Sequence, residues 1–284
     1  MRVIGLTGSI ATGKSTCSST LSSPPYSLPI IDADLIARKV VEPGTLGYKQ
    51  IVSTFGPTTP DLLLPASDPL CGGKEGGLNG KGRPLNRPAL GRRVFGNSEE
   101  RVRDRKKLNA IVHPLVRFYM ARALLYYYLS GHWAVILDIP LLFESGLDIF
   151  CGTVMVVAVS DPKIQMERLR ARDPHLTVED ARNRVASQVD VREKAARVEH
   201  RNRGKKEAGK GYVLYNDGSK EDLQLQIADV MEKIRSRSPT WWNLLLLLCP
   251  PLMATVATGE VLRNWWWRRK VQKERGAELT KTEL

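Results

Sequence analysis

The chain opens MRVIGLTGSIATGKST, and the stretch from Gly8 to Ser15, GSIATGKS, limits its fold more than any other segment. It fits G-x-x-x-x-G-K-[ST] and follows an apolar run, Val3, Ile4 and Leu6, that reads as a buried strand. Glycines at positions 8 and 13 let successive backbone N–H groups turn toward one concave point, and a helix starting near Gly13 adds its positive dipole end. An anion belongs there. With a nucleoside triphosphate bound, Lys14 reaches the β- and γ-phosphates and the Ser15 hydroxyl holds Mg²⁺. Gly8, Ser9, Ile10, Ala11, Thr12 and Gly13, with Thr16 as the next helical residue, complete the nucleotide-binding stretch.

Five short, β-branched apolar runs punctuate the sequence: Val3 to Leu6, Pro29 to Ile31, Ala134 to Leu137, Thr153 to Val159, and Tyr212 to Tyr215. Helical periodicity lies between them, as in Leu108, Val112, Leu115, Val116, Tyr119 and Ala123. Continuous apolar strands alternating with helices predict an α/β fold, a parallel sheet covered on both faces. Residues 65–88, dense in Gly, Pro, Asn and Lys, read as a mobile surface loop that cannot build a core. The basic stretch 199–211 reads as a second flexible insertion.

Acidic side chains at strand ends supply further candidates. Asp32, in IIDADLIAR, falls at the carboxyl end of the second run, where ligands of open α/β sheets collect, and is read as a base for an attacking hydroxyl. Asp34 is read as a helix N-cap. Asp138 either holds a Mg²⁺ water beneath the loop or starts a turn with Pro140. ERLRARD, residues 167–173, with Arg182, Arg184 and Arg192 beyond it, reads either as a solvated face or as a lid whose arginines close over phosphates.

A net charge of +13 suits acidic partners, but the basic residues are dispersed, so nucleic acid is not the expected one. Four scattered cysteines without C-x-x-C spacing point to a reducing compartment, and the first residues read as a strand rather than a secretory signal.

GLTGSIATGKST, IDADLIARKVVEPG, LNAIVHPLV, LDIPLLFESGL, ERLRARD, the SQ at 187–188 and the NDG at 216–218 occur together and in order. Over residues 1 to 235 this set resembles the dephospho-coenzyme A kinase family. The resemblance implies a P-loop kinase fold with a five-stranded parallel core, a helical substrate domain and a lid. It implies transfer of the ATP γ-phosphoryl, with Mg²⁺, to the ribose 3′-hydroxyl of dephospho-CoA. It also favours Asp32 as the base, matches the lid arginines to Arg168 and Arg172, and puts Asn216 near the adenine. His113, ahead of Pro114, either touches the substrate or is a buried histidine before a helix-starting proline. A different small-molecule or nucleoside monophosphate kinase, and an inactive nucleotide-binding scaffold, stay open beside this reading. A GTPase does not, since no N-K-x-D element is present.

The kinase-like region is expected to end at 236, with 237–284 as a hydrophobic and basic extension. Trp241 to Gly259 carries no charge over 19 residues, which as a helix is about 28 Å. Trp265 to Trp267 and Arg268 to Lys270 follow it like an aromatic belt and a headgroup flank. Two alternatives stand: a membrane anchor, kinked or hairpin-like, on the cytosolic face of an organelle, or a helix packed on the kinase core. Cytoplasmic ATP sets the side on which the kinase works.

Overall fold

The computed structural model describes residues 1–282 except 176, 187–190, 203–209 and 238. Two compact units divide the chain: residues 1–31 with 125–284, and residues 32–124.

The first unit is built on a five-stranded sheet in the order β2-β3-β1-β4-β5. Its strands are β1 (Arg2–Gly8), β2 (Ile30–Asp32), β3 (Ala134–Asp138), β4 (Thr153–Ala158) and β5 (Gly211–Tyr215). All five predicted runs are strands, each within two residues of its predicted ends. β1 pairs in parallel with both β3 and β4, so that Leu6 stands opposite Asp138 and Gly8 opposite Val157. Every residue of β3 and β4 is buried, as a parallel sheet covered on both faces requires. The connection from β1 runs to β2 on one side and that from β3 runs to β4 on the other, so the crevice at the carboxyl ends of β1 and β3 is the topological switch point. GSIATGKS lies there.

Helix α1 (Lys14–Ser22) and helix α10 (Lys220–Ser236) cover one face. Cys17 and Leu21 of α1 pack with Leu223, Ile227, Val230 and Ile234 of α10 and with Ile4, Leu6, Met155 and Val157 of the sheet. α10 starts on a reciprocal cap, in which Ser219 and Asp222 satisfy each other's backbone N–H groups. Between β3 and β5 come α6 (Leu142–Ser145), a 3₁₀ turn Leu147–Phe150, α7 (Pro162–Arg172), α8 (Val178–Ala186) and α9 (Val191–Asn202). Residues 199–202 thus end α9, whereas most of the predicted insertion 199–211 lies outside the described residues.

The second unit holds α2 (Ala33–Lys39), α3 (Leu46–Phe55), α4 (Arg87–Val94) and most of α5 (Glu99–Leu129). Its core gathers Tyr48, Ile51, Phe55, Leu62, Leu85 and Val94. Leu85 corrects the reading of residues 65–88 as unable to pack: it is buried, Cys71 is fully buried, and Leu63 and Leu85 form an antiparallel bridge. The Tyr48 hydroxyl donates to the Arg83 carbonyl at 2.8 Å. Pro114 starts no helix but lies inside α5, and His113 is exposed rather than buried.

The C-terminal residues form α11 (Thr240–Leu248) and α12 (Pro250–Thr282). Trp241 to Gly259 is therefore not one straight helix: the chain turns by 113° between the two, and no single helix among the described residues is long and apolar enough to cross a membrane. α12 packs within the first unit against the 3₁₀ turn Leu147–Phe150. Asn264, only 5% exposed, donates to the carbonyls of Ile149 (2.9 Å) and Cys151 (3.2 Å). Arg268, predicted to flank lipid headgroups, instead meets Asp148 at 3.3 Å and the Phe143 carbonyl at 3.2 Å.

Candidate active site

The loop after β1 is shaped from outside by donors to its carbonyls. The Thr12 hydroxyl donates to the Ser9 carbonyl (2.9 Å), Gln165 Nε2 to that of Ile10 (2.7 Å) and Asn216 Nδ2 to that of Thr12 (2.9 Å). In a trans peptide the next N–H points opposite to the carbonyl, so the amides of Ala11 and Gly13 face the concave side. Their backbones take the left-handed conformation, φ 60° at Ala11 and 95° at Gly13, which produces the succession of inward amides that an anion needs. Gly13 is required twice over, since a Cβ there would come 2.2 Å from Asn216 Nδ2. Asn216 thus braces the loop, a contact its predicted place near the adenine did not reveal.

Lys14 begins α1 and its Nζ bonds Asp138 Oδ1. The Lys14 side chain is 19% exposed and that of Asp138 5%, so the carboxylate lies beneath the ammonium and the ammonium beside the opening. Asp138 holds its place because it ends a fully buried strand in register with Leu6, and the next amide, Ile139 N–H, donates to the Leu6 carbonyl at 3.0 Å. Its buried charge reaches one turn into α1, where burial and the nearby Asp138 push the Cys17 thiol up to about 12.

Ser15 is exposed in the first turn of α1. For Mg²⁺ the Ser15 hydroxyl and the Asp138 carboxylate are both oxygen donors, and the ion needs only one or two protein ligands beside phosphate oxygens and water. No cluster of three or more His, Cys, Asp or Glu that would suit a metal cage occurs among the described residues. The donor set fits.

Of the two arginines expected to form a lid, Arg168 on α7 turns inward and donates from Nη1 to the Asn216 carbonyl at 2.7 Å. Arg172, at the exposed end of α7, pairs with its neighbour Asp173 at 3.1 Å. Arg182 and Arg192 are exposed, and the SQ at 187–188 lies outside the described residues.

Asp32 corrects one assignment. It is Asp32 that caps α2, its Oδ1 accepting from Leu35 N–H at 2.9 Å, while Asp34 lies exposed in the first turn. The cap fixes the Asp32 carboxylate through one oxygen. The second unit also contains a groove lined by Arg38, Arg87, Leu85, Leu108 and Val112 together with the acidic Asp34 and Glu42.

Lys194 on α9 escaped the sequence reading. It is fully buried; its Nζ donates to the Pro140 carbonyl at 2.9 Å and lies 3.4 Å from Glu144, and the Thr7 hydroxyl donates to that same carbonyl at 2.8 Å. Burial lowers the pKa of its ammonium and Glu144 partly restores it. Lys194 therefore pins the turn that follows Asp138. In VREKAARVEHRN a lysine reads as solvated, and the available signal was the stripe Lys194, Val198 and Arg201 at i, i+4 and i+7.

The family model described as dephospho-CoA kinase matches residues 2–67 and 72–204. A dephospho-CoA kinase of Saccharomyces cerevisiae is 40% identical over 277 residues, spanning 98% of this chain and 100% of its own length. One of Listeria monocytogenes is 38% identical, spanning 82% of this chain and 96% of its own. The crystal structure of TT1252 from Thermus thermophilus superposes with a TM-score of 0.58 at 28% identity, covering 82% of this chain and 97% of its own. A glycine-framed loop at the switch point, an acidic β3 end and matches of this length converge on one statement: the chain belongs to the dephospho-CoA kinase family.

Proposed function

We infer that the chain transfers the γ-phosphoryl of ATP to the ribose 3′-hydroxyl of dephospho-CoA, giving coenzyme A. The observation that carries this reading is the loop at residues 8–15, its carbonyls held outward and Lys14 set between Asp138 and the opening. Phosphoryl transfer asks little covalent work of a protein, and positioning with electrostatic stabilisation supplies most of the rate. The amides of Ala11 and Gly13 and the Lys14 ammonium hold the phosphate chain, with Lys14 exchanging Asp138 for phosphate oxygens. Ser15 and Asp138 would hold Mg²⁺, which would supply charge neutralisation. Arg168 and Arg172 neutralise charge on the transferred group, and for Arg172 this means leaving Asp173. Asp32 orients the acceptor hydroxyl and takes its proton, a role that rests on the family correspondence and on a carboxylate fixed by its cap. The groove of the second unit, with Arg38 and Arg87 beside Leu85, Leu108 and Val112, suits an acceptor that has both anionic and apolar parts, as dephospho-CoA does.

The test is formation of CoA by the purified protein from Mg·ATP and dephospho-CoA. Asp32→Asn, which keeps an oxygen able to accept from Leu35 N–H, should lower kcat by about 100-fold or more with the fold intact. Wild-type turnover in that variant removes Asp32 as the base. Turnover of a nucleoside monophosphate with none of dephospho-CoA removes the acceptor assignment.

The working location in this reading is the cytoplasm, which supplies the ATP that the reaction consumes. Residues 241–270 contact a membrane there, a reading supported by exposed Trp241, Leu248 and Trp266.

A further inference from the structure

The two C-terminal helices carry an apolar surface with a defined orientation. Along α11, Trp241, Leu244, Leu245 and Leu248 recur at i, i+3, i+4 and i+7, one face of a helix, and they are 66, 54, 40 and 74% exposed. The other face is occupied. Leu246 is buried and its carbonyl accepts from the Tyr128 hydroxyl at 2.5 Å. Thr240, Asn243 and Leu247, joined by Leu244 from the border of the exposed row, line a recess with Gly131, His132 and Trp133. Packing of one side is therefore what turns the other toward solvent. On α12, Leu262, Trp265 and Trp266 are exposed as well.

Charge and anchoring choose what covers this surface. From 237 to 271 the only acid is Glu260, against Arg237, Arg263, Arg268, Arg269 and Lys270. The Arg269 guanidinium lies over the Trp265 ring at 4.0 Å and the Lys270 ammonium over Trp266 at 6.0 Å, so cations and apolar rings share the same turns of helix. α12 is held to the kinase unit by Asn264, by Arg268 and by the Arg201 guanidinium over Trp267. With those contacts in place and the chain bent by 113°, the segment does not lie straight across a bilayer.

We propose that the exposed sides of α11 and α12 are an interfacial docking surface for an anionic lipid bilayer, lying in the plane of the headgroups and spanning nothing. The proposal rests on the membrane contact stated above and fixes its mode. Leucine and tryptophan side chains enter the headgroup boundary while arginine and lysine meet anionic lipids, the division of labour of in-plane amphipathic helices. A second copy of the chain fits less well, because a two-fold contact over this face would gather the Arg269 and Lys270 cations of both copies, while the one acid of the segment, Glu260, already pairs with Arg263 at 3.1 Å.

The experiment is co-sedimentation of the full chain with vesicles of phosphatidylcholine alone and of phosphatidylcholine mixed with phosphatidylserine, with tryptophan emission recorded. Binding at least about tenfold tighter to the anionic vesicles, with blue-shifted emission, is expected. Trp241→Glu with Leu248→Glu should abolish binding and leave CoA formation unchanged. Arg269→Glu with Lys270→Glu should remove the preference for anionic vesicles, a second readout should the first pair fail to fold. Protease added outside should still reach both the 237 side and the residues after 270. Protection of one of them, with resistance to carbonate extraction, means that the segment spans and overturns the in-plane mode while membrane contact stands. Absence of binding to either vesicle overturns both. A stable dimer in solution that Trp241→Glu with Leu248→Glu splits assigns the face to a second copy and overturns the proposal.

Discussion

Helix α9 carries two buried cations on one stripe, and they serve opposite edges of the same sheet. Lys194 reaches the turn after Asp138, at the carboxyl edge of β3. Arg201, two helical turns later, reaches the carbonyls of Asp148 (3.2 Å) and Cys151 (2.8 Å), just before the amino edge of β4. The partners differ in kind. Around Lys194 the ionic partner borders the opening: the Glu144 side chain is 25% exposed, and the like-charged Lys14, 19% exposed, lies near enough to help lower the Lys194 pKa. Around Arg201 they are sealed: the Asp148 side chain is 4% exposed, and α12 closes over it with Arg268 and Trp267. Burial raises the pKa of the Asp148 carboxyl even against Arg201 and Arg268, so desolvation at this edge exceeds what the ion pairs return. A charge cluster beside an opening can trade a protein partner for a ligand, whereas a sealed one can only hold the fold together.

That contrast is most exposed to failure at Arg201. Arg201→Met leaves the Asp148 charge in a dry site with the half-buried Arg268 and the more distant influence of Arg197, and should lower the unfolding free energy by roughly 3–5 kcal/mol in urea titration. The kcat of the protein that stays folded should be unchanged. Lys194→Met is the counterpart at the other edge. Glu144 is partly solvated, so the stability loss should be about 1–2 kcal/mol. Freeing the turn after Asp138 should lower kcat by about 10-fold, with KM for ATP moved less. Lys194→Arg should recover part of it. If Arg201→Met slows turnover at unchanged stability, or Lys194→Met acts only on stability, the division between the edges is wrong.

A third substitution probes the loop between them. Gly13→Ala puts a Cβ into Asn216 and forces a left-handed alanine, which should cost about 1–2 kcal/mol and weaken ATP binding in calorimetry. In an Asn216→Gly background the clash is gone and only the backbone strain remains, so part of the loss should disappear. Equal losses in both backgrounds would show that Asn216 does not brace the loop.

The working edge was the more legible of the two in the sequence. Buried parallel strands are apolar at every position, which is why all five runs could be read, and GSIATGKS has one backbone solution between a strand and a helix. Asp32 and Asp34 were harder to separate, because two aspartates two residues apart are both acceptable caps and only the true first turn of α2 decides between them. Lys194 and Arg201 were hidden by their neighbours: in a run as charged as VREKAARVEHRN, burial depends on packing that composition does not record. Residues 65–88 misled for the opposite reason, since a Gly- and Pro-rich stretch still places Leu85 in a core when its ends are bridged. At the tail, the uncharged run was visible, but the bend at Cys249 and Pro250 and the polar latch of Asn264 and Arg268 belong to tertiary structure.

Two cysteines report on the two edges with little disturbance. Cys17 lies behind Lys14 and Cys151 lies under Arg201, and burial pushes both thiols up to about 12. At pH 8 each then carries roughly a thousandth of the thiolate of an ordinary cysteine, and neither should react with iodoacetamide in the native protein, while half-exposed Cys249 does. In Arg201→Met, peptide mapping should find Cys151 labelled and Cys17 still protected, because only the amino edge has loosened. The same shifts set a pH dependence. A thiol whose folded pKa lies above its unfolded value near 9 adds stability that is complete below pH 9 and is lost as pH rises toward 12. Cys17→Ala and Cys151→Ala should each flatten that alkaline decline, and equal labelling of both thiols in Arg201→Met would mean that the two edges open as one.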